Sequence, residues 1–182
     1  MGTPPRQLSL ELRHGLGKEM KRRRAVVALS LFSIGCMGLI SLYQSGLIRH
    51  LPEPGIPGMD GNKVDASEEA YSHLQMGDAF IGMGSYAVTA GLAAMGDLKR
   101  QVRTPWMPLA LAVKTLFDSV QAGTLTYHQF TRHHAACFWC LLTTAATYSS
   151  AVIAMPEAQT AFRSIRQKNR LAVPSAMNHT TG

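Results

Sequence analysis

Ala135-Ala136-Cys137-Phe138-Trp139-Cys140-Leu141-Leu142-Thr143-Thr144-Ala145-Ala146-Thr147-Tyr148-Ser149-Ser150-Ala151-Val152-Ile153-Ala154-Met155 runs for 21 residues without a charge. Crossing a hydrocarbon core as a helix takes roughly 20 apolar residues, so this stretch reads as a membrane span. It opens with two cysteines spaced C-x-x-C. On a helix such sulfurs lie one turn apart and can exchange between dithiol and disulfide. At the edge of a membrane they would sit beside lipid-soluble electron carriers, which points to redox chemistry.

Three more spans precede it. Ala25 to Ile48 carries no charge. Ala79 to Gly96 is another uncharged run, bracketed by Asp78 and Asp97, and its Gly82, Gly84, Ala87, Ala90, Gly91 and Ala94 let helix backbones approach closely. Pro105 and Pro108 suit a first helical turn, Trp106 suits an interface, and the apolar run continues to about Tyr127, interrupted by Lys114 and Asp118. The spans are expected at about 25–48, 78–97, 105–127 and 134–155, the last ending at Pro156. The expected fold class is all-α: an integral membrane four-helix bundle with an outer loop carrying a short surface helix. A mean hydropathy of +0.02 averages these spans with very polar ends. Residues 1–20 and 170–182 are expected to be poorly ordered.

Lys and Arg are distributed unevenly about the spans. The tail 1–24 holds Arg6, Arg13, Lys18, Lys21, Arg22, Arg23 and Arg24; the second connection holds Lys99, Arg100 and Arg103; the tail 157–182 holds Arg163, Arg166, Lys168 and Arg170. The other side has Arg49, Lys63 and Arg132. By the positive-inside rule both basic tails are cytoplasmic, and the loops near 49–77 and 124–134 face outward. The net charge of +7 thus reads as a topology signal that also attracts membrane lipid. Nucleic acid is not an expected partner, because no motif of its known readers is present.

The first span could instead be a signal sequence, with Lys21 to Arg24 as its basic region. Ser33-Ile34-Gly35-Cys36 imitates a lipoprotein cleavage box but lacks the large aliphatic residue three positions before the cysteine. Cys36 reads better as a packed helix cysteine.

In the outer loop, Leu51-Pro52-Glu53-Pro54-Gly55-Ile56-Pro57-Gly58 excludes regular helix or strand, because three prolines fix dihedrals and remove donors. Asp65-Ala66-Ser67-Glu68 then reads as an N-cap with a glutamate three positions on, predicting a short surface helix through about His73. Asp60, Asp65, Glu68 and Glu69 tint this face acidic. The loop is either plain solvated chain or a lid and docking surface over the cysteines.

Cys137 is expected to be the more exposed sulfur and Cys140 the deeper one, facing a lipid-soluble oxidant. His133 and His134 immediately precede them and are candidates for proton transfer. A static structural disulfide is the main alternative; a closed metal site would need four ligands, and two sulfurs fall short. Lys114 and Asp118 share a helical face within a span, either neutralising each other or serving a quinone. Trp139 is an interface anchor or a stacking partner for a ring ligand. A haem or copper protein using His128, His133 or His134 is a third class.

Taken together, the four spans and the Cys137-Phe138-Trp139-Cys140-Leu141-Leu142 segment resemble the bacterial vitamin K epoxide reductase family. Tyr43-Gln44-Ser45-Gly46-Leu47-Ile48, Leu51-Pro52-Glu53-Pro54, Ser85-Tyr86-Ala87 and Met155-Pro156-Glu157-Ala158 add to the resemblance, which covers roughly residues 25–158. It implies a four-helix bundle in the bacterial inner membrane around a quinone, ubiquinone or menaquinone, with no metal. It also implies that Cys140 lies next to the quinone, that Cys137 exchanges with a shuttle pair, and that an extracytoplasmic thioredoxin-like protein is a partner. Cofactor-binding candidates on this reading are Lys114, Asp118 and Trp139. The chain departs from the pattern at one point: loop 49–77 has no cysteine. Either a separate partner reaches Cys137 directly, or general thiol oxidase activity has been lost and the chain is a non-catalytic scaffold.

Overall fold

The computed structural model describes residues 4–71 and 76–177. It is all-α, about 78% helical, and its long helices follow the apolar runs. Helix α1 spans Pro5–His14, α2 Lys18–Gln44, α3 Gly61–Asp65, α4 Asp78–Ala94, α5 Arg100–Arg103, α6 Trp106–His128 and α7 Phe138–Met177. A 3-10 turn, Glu68–Tyr71, follows α3, and a π-helical turn, Gln129–His133, follows α6. Helix α2 packs on α4 and α7, and α6 packs on α7 and α4. Among the described residues two helices, α2 and α7, are long and apolar enough to cross a membrane.

The packing is inverted relative to a water-soluble core. Buried positions hold small or hydroxyl side chains, among them Ser30, Ser33, Thr89, Thr115, Ser119, Thr147 and Ser150, while Leu31, Phe32, Val88, Val113, Phe117, Val120 and Val152 are exposed. Small interior residues let backbones approach, and all of these hydroxyls except that of Ser33 are satisfied within their own helices. Thr115 donates to Leu111 O at 3.0 Å and Ser150 to Ala146 O at 2.8 Å. Large apolar side chains facing outward on α2, α4, α6 and α7 are those that hydrocarbon would solvate.

Several basic residues counted for topology have a second role. Arg23 spreads its guanidinium over the C-terminal carbonyls of α4, donating to Ala93, Ala94, Met95, Gly96 and Asp97 O at 2.7–3.0 Å. Arg100, fully buried, donates to Leu92, Ala93 and Met95 O. It also forms a two-point pair with Glu157 at 2.7 and 2.8 Å. Helix carbonyls that lack internal partners are satisfied this way. Gly96, at φ 84, turns the chain back there, and a side chain would meet Arg100 and Met107.

Sequence and structure differ at three ends. Pro156 does not stop the last helix; α7 runs through it to Met177. The lost backbone bond costs about 3 kcal/mol, offset by the Glu157 pair and by buried Ala158 and Ala161. At the other end, Pro5–His14 is helical, and its Leu12 and Arg13 carbonyls accept from Arg24. In the outer loop Asp65 is not an N-cap. Asp60 is, accepting from Lys63 N at 3.0 Å, and Asp65 ends α3 as a buried residue. The rest of the expected surface helix, toward His73, falls partly on residues 72–75, outside the described residues.

Candidate active site

The chain reverses into α7 through His134, whose φ of 48 is left-handed. Gln129, buried in the π-turn, accepts from Cys137 N at 3.1 Å. Cys137 itself caps the helix: its sulfur accepts from Cys140 N at 3.4 Å and its carbonyl accepts from Leu141 N. Cys36, Cys137 and Cys140 are all free thiols.

The Pro-rich loop closes over this turn. Glu53 accepts from Phe138 N at 2.9 Å and from Gly61 N at 2.6 Å, so one carboxylate ties the loop to the first residue of α7. A Cβ at position 61 would press on the Glu53 carboxylate, which would have to shift. Trp139 Nε1 donates to Pro52 O at 2.9 Å. Met59 and Ala136 form an isolated parallel bridge, with Asp60 N donating to Ala136 O and Ala136 N to Gly58 O, both at 3.0 Å. Leu51 and Val64 join Cys137, Ile40, Ala79 and Ala135 in one apolar cluster.

This closure corrects the expected order of exposure. Cys137 is 0% exposed, whereas Cys140 is half-buried. Nothing in the sequence says where a non-regular arm lies, and here it lies on Cys137.

The closure also brings a third group to the sulfurs. Cys140 Sγ donates to Asp65 Oδ1 at 3.7 Å, and a carboxylate oxygen of Asp65 and the two sulfurs all lie within 4.8 Å of one another. Asp65 is 3% exposed. Its Oδ2 has no hydrogen-bond partner, while Gln44 Nε2 donates to its backbone carbonyl and to Asp78 Oδ1. Burial pushes the Asp65 carboxyl up to about 7, the thiols of Cys137 and Cys140 pull it down, and Asp78 and Glu53 add to the rise. Three donors exceed the two sulfurs counted from sequence but remain short of a closed structural zinc set.

The other expected site residues sit as follows. Lys114 Nζ donates to both oxygens of Asp118 at 2.6 Å and to Ser85 Oγ at 2.7 Å. Asp118 also accepts from Ser85 and Thr89, so the pair is saturated and joins α6 to α4. Trp139 spends its N–H on the loop and stacks edge-on against Phe138. His133 is half-buried and His134 exposed, in the turn ahead of the cysteines. Cys36 is buried inside α2. Tyr86, not singled out from sequence as a site residue, shares a hydrogen bond with Thr147 at 2.9 Å and lies in electrostatic reach of both Cys140 and Asp118.

Sequence reasoning missed Glu53, Asp65 and Gln129 as site residues. For Asp65 the misleading signal was its own Asp-x-x-Glu spacing, which mimics a helix start. Glu53 between two prolines was the one available hint, since a charge in a stiff arm has a fixed place to point.

The sequence profile of the vitamin K epoxide reductase family matches residues 24–155, nearly three-quarters of the chain. The chain belongs to the vitamin K epoxide reductase family. Members are membrane-embedded thiol–disulfide and quinone oxidoreductases that work with thioredoxin-like partners. The matched range contains Cys137, Cys140, Asp65 and Glu53. No individual curated protein matches the chain.

Proposed function

We propose that this chain passes electrons from an extracytoplasmic dithiol, carried by a thioredoxin-like protein, through Cys137 and Cys140 to a membrane quinone. The observation that carries this reading is the pair itself: two free thiols at the start of an apolar helix, one sealed under the loop and the other half-open. A partner dithiol reduces the Cys137–Cys140 disulfide and is itself oxidised. The two thiols then give up two electrons and two protons and close the S–S bond again. Because Cys137 is covered, exchange with a protein requires the loop 51–65 to lift from α7.

The quinone, ubiquinone or menaquinone, supplies a two-electron, two-proton acceptor soluble in hydrocarbon. The residues fit such a ring: Cys140 keeps open surface, and the Tyr86 hydroxyl, whose O–H now rests on Thr147, lies in electrostatic reach of Cys140 and would turn to a ring oxygen. Tyr86 suits the task better than Lys114 or Asp118, which an ion pair holds, or Trp139, whose N–H ties down the loop, because a single hydroxyl bond to Thr147 holds it. His133 and His134 would exchange protons with the outer aqueous side.

In this reading α2, α4, α6 and α7 all cross the bacterial inner membrane with both termini cytoplasmic. The outward-facing valines and phenylalanines of α4 and α6 support it. The test is quinone-dependent thiol oxidation in membranes. Cys137→Ala and Cys140→Ala should each abolish it; unchanged turnover in Cys140→Ala would rule the mechanism out.

The complete burial of Cys137 also favours a second reading, in which a static disulfide staples the loop-covered turn of a non-catalytic scaffold. Alkylation trapping separates the two, since a staple stays oxidised while a catalytic pair is found in mixed states.

A further inference from the structure

We propose that Asp65 carries the Cys140 proton during the dithiol–disulfide cycle, a role that deepens the redox reading above and rests on it. The geometry is that of a proton acceptor in contact with the reacting sulfur: Cys140 Sγ points its hydrogen at Asp65 Oδ1 across 3.7 Å. The second oxygen, Oδ2, is buried and without a partner, so it has room to hold a proton. Among the described residues no Lys, Arg or His forms an ion pair with Asp65.

The charged and titratable groups around it are Cys137 just ahead of α7, Cys140 from α7, Asp78 from α4, Glu53 from the loop and Tyr43 from α2. All of these are acids. Burial makes Asp65 hold its proton far more tightly than an exposed carboxylate, the two thiols oppose this, Asp78 and Glu53 add to it, and Asp65 titrates at about 7. A group poised there can both take and return a proton at neutral pH.

Closing the disulfide requires such a carrier. Two S–H bonds break and one S–S bond forms, releasing two protons and two electrons. Cys137 is fully covered, and on its inner side the Cys140 sulfur meets the buried Asp65 carboxylate rather than water. The Cys140 proton moves to Asp65 as its sulfur becomes a thiolate, and Cys137 loses its own proton as the S–S bond forms. Both electrons go to the quinone, and both protons follow, the first by way of Asp65. The quinone leaves as hydroquinone. When a partner dithiol reduces the pair again, its two thiol protons pass to the cysteines as its own disulfide forms, the one bound for Cys140 by way of Asp65.

The test compares the full-length chain with Asp65→Asn and Asp65→Glu, purified in lipid nanodiscs. Turnover is followed from pH 5 to 9 with dithiothreitol and a short-chain ubiquinone analogue, using roughly the 100-fold scale of a lost acid–base group. Asp65→Asn should lose about that factor at pH 7, together with the inflection near neutrality, and Asp65→Glu should keep the inflection. Maleimide labelling of the dithiol form across the same pH range needs no quinone and gives a second readout. Wild type should show the neutral inflection and Asp65→Asn should lack it.

If neither turnover nor labelling changes in Asp65→Asn, the proposal is wrong. If wild type shows no quinone-dependent turnover but the labelling inflection still vanishes in Asp65→Asn, the proton link stands and the quinone reading fails. Stoichiometric zinc held by wild type and lost on Cys137→Ala would overturn the proton role, because the thiols would then be ligands.

Discussion

Glu53 and Phe138 are 85 residues apart, yet the Glu53 carboxylate accepts the Phe138 amide at 2.9 Å. A loop acid therefore caps the helix that presents the two sulfurs. It stabilises the helix start and latches the loop over Cys137 in the same contact. The second oxygen of that carboxylate holds Gly61 N at 2.6 Å, one residue past the cap of α3.

Replacing Glu53 should loosen the lid before it unfolds the bundle. Loss of two capping bonds at about 1 kcal/mol each lowers the local opening free energy by about 2 kcal/mol, or roughly 30-fold in the open population. In Glu53→Ala, maleimide should therefore reach Cys137 some 30-fold faster than in wild type. An unchanged labelling rate would mean that the loop opens by another hinge.

Asp65 also predicts how stability depends on pH. Its folded carboxyl is raised from 3.8 to about 7, so between these values the folded chain binds more protons than the unfolded one. Stability therefore falls as pH rises through that window, by on the order of 4 kcal/mol when complete. Asp65→Asn removes this dependence. Thermal unfolding in detergent should find the variant stabilised relative to wild type at pH 8 but not at pH 4. Equal differences at the two pH values would refute the assignment.

The Arg100–Glu157 pair is buried at 0% and 4% side-chain exposure, at the opposite end of the bundle from the cysteines. Arg100→Ala leaves Glu157 unpaired and frees the α4 carbonyls, so it should cost about 3–5 kcal/mol. Arg100→Lys should recover little, because a lysine cannot make the two-point contact. Chemical denaturation in detergent measures both.

Lys114 and Asp118 form a saturated pair between α6 and α4. Lys114→Ala alone should destabilise by about 3 kcal/mol, by leaving a carboxylate uncompensated. The double variant Lys114→Leu, Asp118→Leu should regain most of that and keep the KM for the quinone analogue. A large rise in KM in the double variant would return the pair to the quinone site.

Much of this fold could be read from the chain. Helices α2, α4, α6 and α7 each contain most of one of the apolar runs, whose length suits a helix that satisfies its own backbone hydrogen bonds. The sulfur pair fell where the C-x-x-C spacing put it, at a helix start. What could not be read depended on contacts remote in sequence. Pro156 is a stop signal only if nothing repays its missing bond, and Glu157 finds Arg100 fifty-seven residues away. Asp65 matched a local capping pattern, but burial against Cys140, 75 residues on, overrode it. Cys137 looked exposed because a proline-rich arm carries no periodicity to reveal which surface it covers.

The thiol state of Cys137 and Cys140 in intact membranes tests the central claim most directly. Membranes are treated with dithiothreitol or with a short-chain ubiquinone analogue, quenched with acid and alkylated. Reductant should yield the dithiol, and quinone should convert it to the Cys137–Cys140 disulfide. A pair that keeps one state under both treatments would contradict the account.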